Sequence, residues 1–217
     1  IAQCLDDFGI PLHLEHTIVE IKGKERVEGV IIAQVDKAKK PISGTEREIA
    51  CDTVLFSVGL IPENELTKRA GLSLDPRTKG CVVDGNRETD IAGVFACGNV
   101  LHVHDLVDFV SEEAEVAGRA AAEYLARGEG ERAYLPTVAG ENVSYVLPQR
   151  AQRGQAVKLY FRVRSAFRNA VIRVEMGNTV RTYKRIAVAP GEMENVTVKA
   201  ADLADAQNIQ ISVVREA

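Results

Sequence analysis

The apolar residues of this chain keep two different periods, and the change from one to the other is the strongest constraint on its fold. From about Asp105 to Ala126, the residues Leu106, Val107, Val110, Ala114, Ala117, Ala121, Tyr124 and Leu125 recur at three- and four-residue spacing. That spacing predicts one apolar face of a helix. From Ser144 the period becomes two: Val157, Leu159, Phe161 and Val163 alternate with Lys158, Tyr160, Arg162 and Arg164. Ile172, Val174 and Met176 alternate with Arg173 and Glu175, and Gly177-Asn178 makes a turn. Val180 to Val188, Val196 to Lys199 and Ile209 to Val214 follow, with Pro190-Gly191 between the first two. Short strands separated by turn signals predict an antiparallel β-sandwich of immunoglobulin-like kind over residues 137–217. Asp202 to Ala206 reads as a short turn of helix. The Gly/Glu/Arg-rich stretch Ala126 to Pro136 is the expected joint. Charge changes sign there: residues 1–136 carry 15 Lys+Arg against 24 Asp+Glu, residues 137–217 carry 12 against 7. Such a change marks parts with different surfaces.

Upstream of the helix the pattern is mixed. Ala2 to Phe8 reads as a helix end stopped by Gly9, with Leu12 and Leu14 in a short strand. Thr17 to Lys22, Val27 to Val35 and Glu46 to Ala50 read as an antiparallel meander, with a hairpin tip at Gly23-Lys24 and a bulge or twist at Gly29. Thr53 to Val58 is continuously apolar and β-branched, as expected of a strand buried on both faces in a parallel sheet, and Gly59 and Pro62 end it. Glu63 to Ala70 is a short helix closed by Gly71. Cys81 to Val83 is a brief strand, and Ile91 to Cys97 is a second buried strand running into Gly98-Asn99.

Composition excludes several classes. No apolar run in the 217 residues approaches the ~18 needed to span a bilayer, so no membrane span is expected. The four cysteines are scattered, form no Cys-x-x-Cys, and three lie in apolar stretches, which points to a reducing cytoplasm. The Arg/Lys row of the last part has no aromatic stacking platform beside it, so nucleic acid is not expected as a partner. Charges on strands facing water, or docking onto the acidic first part or a neighbouring subunit, account for the row instead.

Three spaced motifs carry a resemblance. Asp52-Thr-Val-Leu-Phe-Ser-Val-Gly-Leu-Ile-Pro62, then Thr89-Asp-Ile-Ala-Gly-Val-Phe-Ala-Cys-Gly-Asn99, then a helix with Ala117-Gly118 and Ala120 to Ala122, resemble the C-terminal part of the pyridine nucleotide-disulfide oxidoreductase family. The segment Asp105-Leu-Val-Asp108 looks most like flavoproteins found beside glycerol-3-phosphate dehydrogenases. The resemblance covers about residues 1–130. It implies an α/β plus all-β chain: residues 1–51 end an inserted NAD(P)-binding domain with its meander, 52–130 form the C-terminal half of a split, three-layer FAD-binding domain, and the sandwich follows. It also implies that the chain is a fragment, the back part of an FAD- and NAD(H)- or NADP(H)-dependent oxidoreductase, with Gly59, Pro62, Gly98, Asn99, Val100, Leu106 and Val107 on the flavin side. Where the family usually carries Asp, this sequence has Asn99. The helix would aim its positive N-terminal end, near Leu106 to Asp108, at the flavin.

Other features stay open. His102-Val-His104-Asp105 reads as loop histidines lining the flavin pocket, as a redox or substrate pair, or as metal ligands; without a further ligand cluster nearby no metal is assigned. Glu112, Glu113 and Glu115 read as the solvated face of the helix, and Cys97 as core. The Gly-x-Gly-x-x-Gly fingerprint is absent, since Gly128-Glu-Gly130 follows a helix and lacks the third glycine. The expected activity passes hydride between nicotinamide, flavin and a small-molecule or protein acceptor. The alternative is a non-catalytic assembly module whose sandwich docks a partner dehydrogenase or a second copy.

Overall fold

Alternating side chains near the start give the first sheet. The structure is a computed structural model that describes residues 2–130 and 133–216. It divides into two compact units, residues 1–59 and 60–217. In the first, helix α1 (Ala2–Asp7) precedes strands β1 (His16–Lys22), β2 (Gly29–Gln34) and β3 (Arg47–Ala50). These pair antiparallel in the order β1-β2-β3, the meander that the alternation predicts. Its register shifts between Ile18 and Glu20, not at Gly29. Gly29 is needed for another reason: a Cβ there would lie 3.0 Å from the Ile49 carbonyl oxygen. Leu12 and Leu14 are exposed and lie outside any strand.

The apolar run Thr53 to Val58 departs from expectation. It forms no strand, and Leu55 and Phe56 are 90% and 62% exposed. A strand buried on both faces needs a neighbour on each side, and no described residue pairs with this one. Ile91 to Cys97 likewise makes only an isolated bridge, between Glu88 and Phe95.

The second unit holds helix α2 (Glu65–Arg69), a 3-10 turn at Gly98–Val100, helix α3 (Val107–Arg127) and the remaining strands. These are β4 (Tyr134–Ala139), β5 (Val143–Leu147), β6 (Arg150–Gln152), β7 (Val157–Val163), β8 (Phe167–Met176), β9 (Thr179–Val188), β10 (Glu194–Val198) and β11 (Ile209–Arg215). A three-stranded sheet runs β10-β7-β5 and a five-stranded sheet runs β6-β4-β11-β8-β9. The chain as a whole is mostly β, with few helices and several sheets. One core joins the two sheets of this unit: Val143, Leu159 and Phe161 on one side, Leu135, Ile172, Val174 and Ile211 on the other. The purely antiparallel expectation fails at one ladder. β11 inserts between β4 and β8, so it runs antiparallel to β8 but parallel to β4. Leu135 already belongs to the core, so the ordered strands begin ahead of residue 137.

A smaller cluster of Cys81, Val83 and Leu101 packs with Leu147 at the end of β5. That contact, with side-chain bonds such as those of Gln149 to Asp75 and Gln152 to Asp84, ties the loops from residue 60 to 106 to the sheets. Removing a buried aromatic costs ~3–5 kcal/mol. Phe161→Ala should therefore lower unfolding stability by about that much in urea titration, whereas Ile186→Ala, at an exposed site, should leave the midpoint unchanged.

Candidate functional site

A tight turn builds the first part of the site. Asp84 Oδ1 accepts from the amides of Asn86 and Glu88, and the Arg87 amide donates to the Asp84 carbonyl. The turn holds Arg87 at φ +66°, a left-handed conformation that costs a non-glycine residue ~1–2 kcal/mol. Ala96 then donates to the Arg87 carbonyl, which brings this turn beside Gly98. Gly98 has φ +73°, and a Cβ there would press within 3.2 Å of Val110 on α3. Glycine is thus required for the chain to cross the helix.

Glu113 lies on α3 at the centre of this packing and is fully buried. Arg87 Nε and Nη2 reach its Oε1 at 3.2 and 3.1 Å. The Gly98 amide donates to Oε2 at 2.9 Å, and His104 Nε2 lies 3.1 Å from the same oxygen. His102 Nε2 sits 3.5 Å from Oε1, and its Nδ1 meets the Tyr145 hydroxyl at 3.2 Å. Burial alone would raise the Glu113 carboxyl; the two histidine rings and the Arg87 charge outweigh it and hold the group well below the ordinary carboxylate range. Burial lowers His102, against the pull of Glu113. Burial also pushes the Cys97 thiol up, with Glu113 adding to the effect, which disfavours a reactive thiolate.

The outward row of β7 closes over this cluster. Lys158 pairs with Glu112, and the Tyr160 hydroxyl donates to the same carboxylate at 2.9 Å. Arg162 Nη2 donates to the Val103 carbonyl at 3.0 Å and to Asp105 Oδ1 at 2.5 Å. Asp105 Oδ2 accepts from the Met193 amide at 2.6 Å. The row therefore faces the acidic start of α3 within the same unit.

The expected site residues distribute as follows. Asn99 and Val100 line a cleft of about 250 Å³ together with Leu60, Ile61, Glu63 and Val103. Asn99 Oδ1 accepts from the His104 amide at 3.1 Å, which fixes the side chain and leaves its NH₂ group as the donor it can offer. Gly98 is buried behind this cleft with its N–H committed to Glu113, and Pro62 is half-buried. Leu106 and Val107 are exposed at the start of α3, where no side chain caps the helix. Gly59, at φ +95°, ends the first unit.

Residues 1–121 match the family model of pyridine nucleotide-disulphide oxidoreductase. The chain belongs to that family. Members of the family work with FAD and NAD(P)H. One relative, a chlorobenzene dioxygenase ferredoxin reductase component from Cupriavidus sp. (strain PS12), is 25% identical over 97% of this chain and 51% of its own length. A nitric oxide reductase FlRd-NAD(+) reductase from Escherichia coli O127:H6 (strain E2348/69 / EPEC) is 30% identical over 48% of the chain and 24% of its length. A thioredoxin reductase from Treponema pallidum (strain Nichols) is 30% identical over 50% and 33%. The chain spans about half or less of the length of these relatives. Among the described residues no helix is long and apolar enough to cross a membrane.

Against this family background Glu113 is the residue that the sequence reading misplaced. It is not solvated, and Glu112 is engaged as well. The helical register held the signal: residue 113 lies three after Val110 and four before Ala117, on the apolar face. Arg87 gave no local signal. His102, His104 and Glu113 do each place one candidate ligand atom within 4.8 Å of the others. Arg87 already neutralises the carboxylate, however, so a dication there would set three positive charges, Arg87 included, against one negative in a buried space.

Breaking a buried pair costs ~3–5 kcal/mol, while an exposed pair is worth under ~1. Glu113→Ala should lose stability on the first scale in chemical denaturation, and Arg181→Ala, which breaks the exposed pair with Asp202, should leave the midpoint close to that of wild type. The pH response follows from the directions of the shifts. Both Glu113 and His102 are depressed in the fold, so each contributes stability that is present above its unfolded value and lost as pH falls. Thermal midpoints should decline from about pH 6.5 downward, where unfolded histidine begins to bind protons, and more steeply below about 4.5, where carboxylates do. His102→Gln should flatten the first limb alone.

Proposed function

We propose that this chain supplies the flavin-side wall of an FAD-dependent, NAD(P)H-linked oxidoreductase. The carrying observation is Asn99, held at the cleft with its carbonyl oxygen engaged by His104 and its amide donors left for a ligand. Glu63 on the same cleft is an acceptor, so the pair suits hydroxyls of a ribityl chain better than phosphate oxygens. The apolar lining of Leu60, Ile61, Val100 and Val103 suits the body of the same group. A cleft of this size takes part of a dinucleotide, with the remaining contacts coming from outside these residues. FAD would supply the hydride-accepting chemistry when bound; Asn99 would orient it, and the uncapped start of α3 at Leu106 and Val107 would favour negative charge nearby.

In this reading residues 1–51 belong to the NAD(P)-binding side, 52–130 to the FAD-binding side, and the sheets from β4 onward form a sandwich. The exposed Leu55, Phe56 and Val58 fit a strand whose partners lie elsewhere in the protein. The names of the relatives support a reductase that passes electrons to a separate acceptor. The rival reading, a non-catalytic module whose sandwich docks a partner, would have to use residues other than Lys158 and Arg162, which are paired within the same unit.

In the full-length protein, Asn99→Ala should weaken FAD binding several-fold, since a bond of this kind is worth ~0.5–1.5 kcal/mol. Apo stability should be nearly unchanged. Asn99→Asp keeps the bond from His104 and should retain FAD at least as well as Asn99→Ala. Equal affinity for wild type and Asn99→Ala in a fluorescence titration would remove Asn99 from the site.

A further inference from the structure

The strands that follow α3 lie outside the 1–121 family match, and several of their contacts meet one short loop, residues 102–105. Arg162 on β7 takes the Val103 carbonyl and Asp105 Oδ1 through one nitrogen, and a second nitrogen reaches the Pro190 carbonyl at 3.4 Å. The Met193 amide holds the other Asp105 oxygen, and Tyr145 on β5 holds His102. Between Val103 and Asp105 stands His104, whose amide fixes Asn99. The geometry points to Arg162 as a positioning residue for the cofactor: it sets the loop 102–105, and through the His104 amide it sets the orientation of Asn99. This inference rests on the flavin reading above and deepens it, giving the C-terminal sheets a part in cofactor binding without contact to the cofactor.

The physical basis is order rather than contact. Arg162 is mostly buried, so its bonds to a carboxylate and a carbonyl are stronger than exposed ones. Without the guanidinium, residues 102–105 keep Met193, Tyr145 and the contact of the His104 ring with Glu113 as anchors but lose the bond at Val103, next to the His104 amide. Asn99 can then rotate, and the donor that faces the ligand is no longer held in one place.

The test uses full-length protein, with Arg162→Gln and Arg162→Lys, a control Arg181→Gln on β9, and each Arg162 variant combined with Asn99→Ala. Hydrogen exchange is followed at the His104 amide and FAD affinity by flavin fluorescence. Arg162→Gln should speed His104 exchange, leave β8 core amides protected, and weaken FAD binding by about two- to tenfold. Arg162→Lys restores the cation and should recover most of both effects. In the Asn99→Ala background Arg162→Gln should add little further loss, because both act on the same group. Arg181→Gln should match wild type. Unchanged His104 exchange in Arg162→Gln, or losses that multiply fully with Asn99→Ala, overturns the inference. A wild-type protein that binds no FAD overturns the flavin reading instead, and the exchange result then still decides whether Arg162 orders the loop.

Discussion

A carboxylate enclosed by protein stays ionised only where positive charge and hydrogen bonds replace the water it has lost. Glu113 makes that demand at the contact of α3 with the loops before it, and the local structure answers it. The strained turn at Arg87 supplies the cation, the Gly98 turn supplies an amide, and the histidine loop supplies two rings. Each of these segments would be irregular chain without the helix. Around one buried anion they acquire a fixed arrangement, and that arrangement presents Asn99 at the cleft. The unfavourable φ of Arg87 is offset by the same ion pair.

β7 explains why the all-β part does not sit apart from the rest. Its inner residues Leu159 and Phe161 belong to the core between the sheets. Its outer residues Lys158, Tyr160 and Arg162 meet Glu112 and Asp105 at the start of α3. Tyr160 is as buried as the inner residues, and its ring stacks edge-on with His104 and Phe109. A strand with two occupied faces is a seam, and this one binds the oppositely charged parts of the chain.

Much of this was legible in the sequence where period and burial agree. The meander, α3, and β5 and β7 to β11 fall near where spacing and turn residues place them, and strands β5 and β7 to β11 do so because each sets residues on the core between the sheets. The apolar runs at 53–58 and 91–97 were read correctly as apolar and wrongly as strands here, because strand formation needs partners that a linear reading cannot see. The histidine loop and the family motifs drew attention to the segment that packs against Glu113. Glu113 and Arg87 escaped because a charged residue on an apolar face is legible only together with its partner, and that partner is 26 positions away. The row on β7 was read as a docking face, and the acidic start of α3 meets it.

The parallel pairing of β4 with β11 carries a consequence for synthesis. β4 and β6 precede β11 by tens of residues, as do β8 and β9, yet neither pair touches the other except through it. On the ribosome the five-stranded sheet therefore remains in two pieces until residues 209–215 have left the exit tunnel. Its shared core with β7 includes Ile209, Ile211 and Val213, so the strand that grips the histidine loop gains its full packing only once β11 is in place. Completion of the cleft would then wait on a strand far from it in the chain.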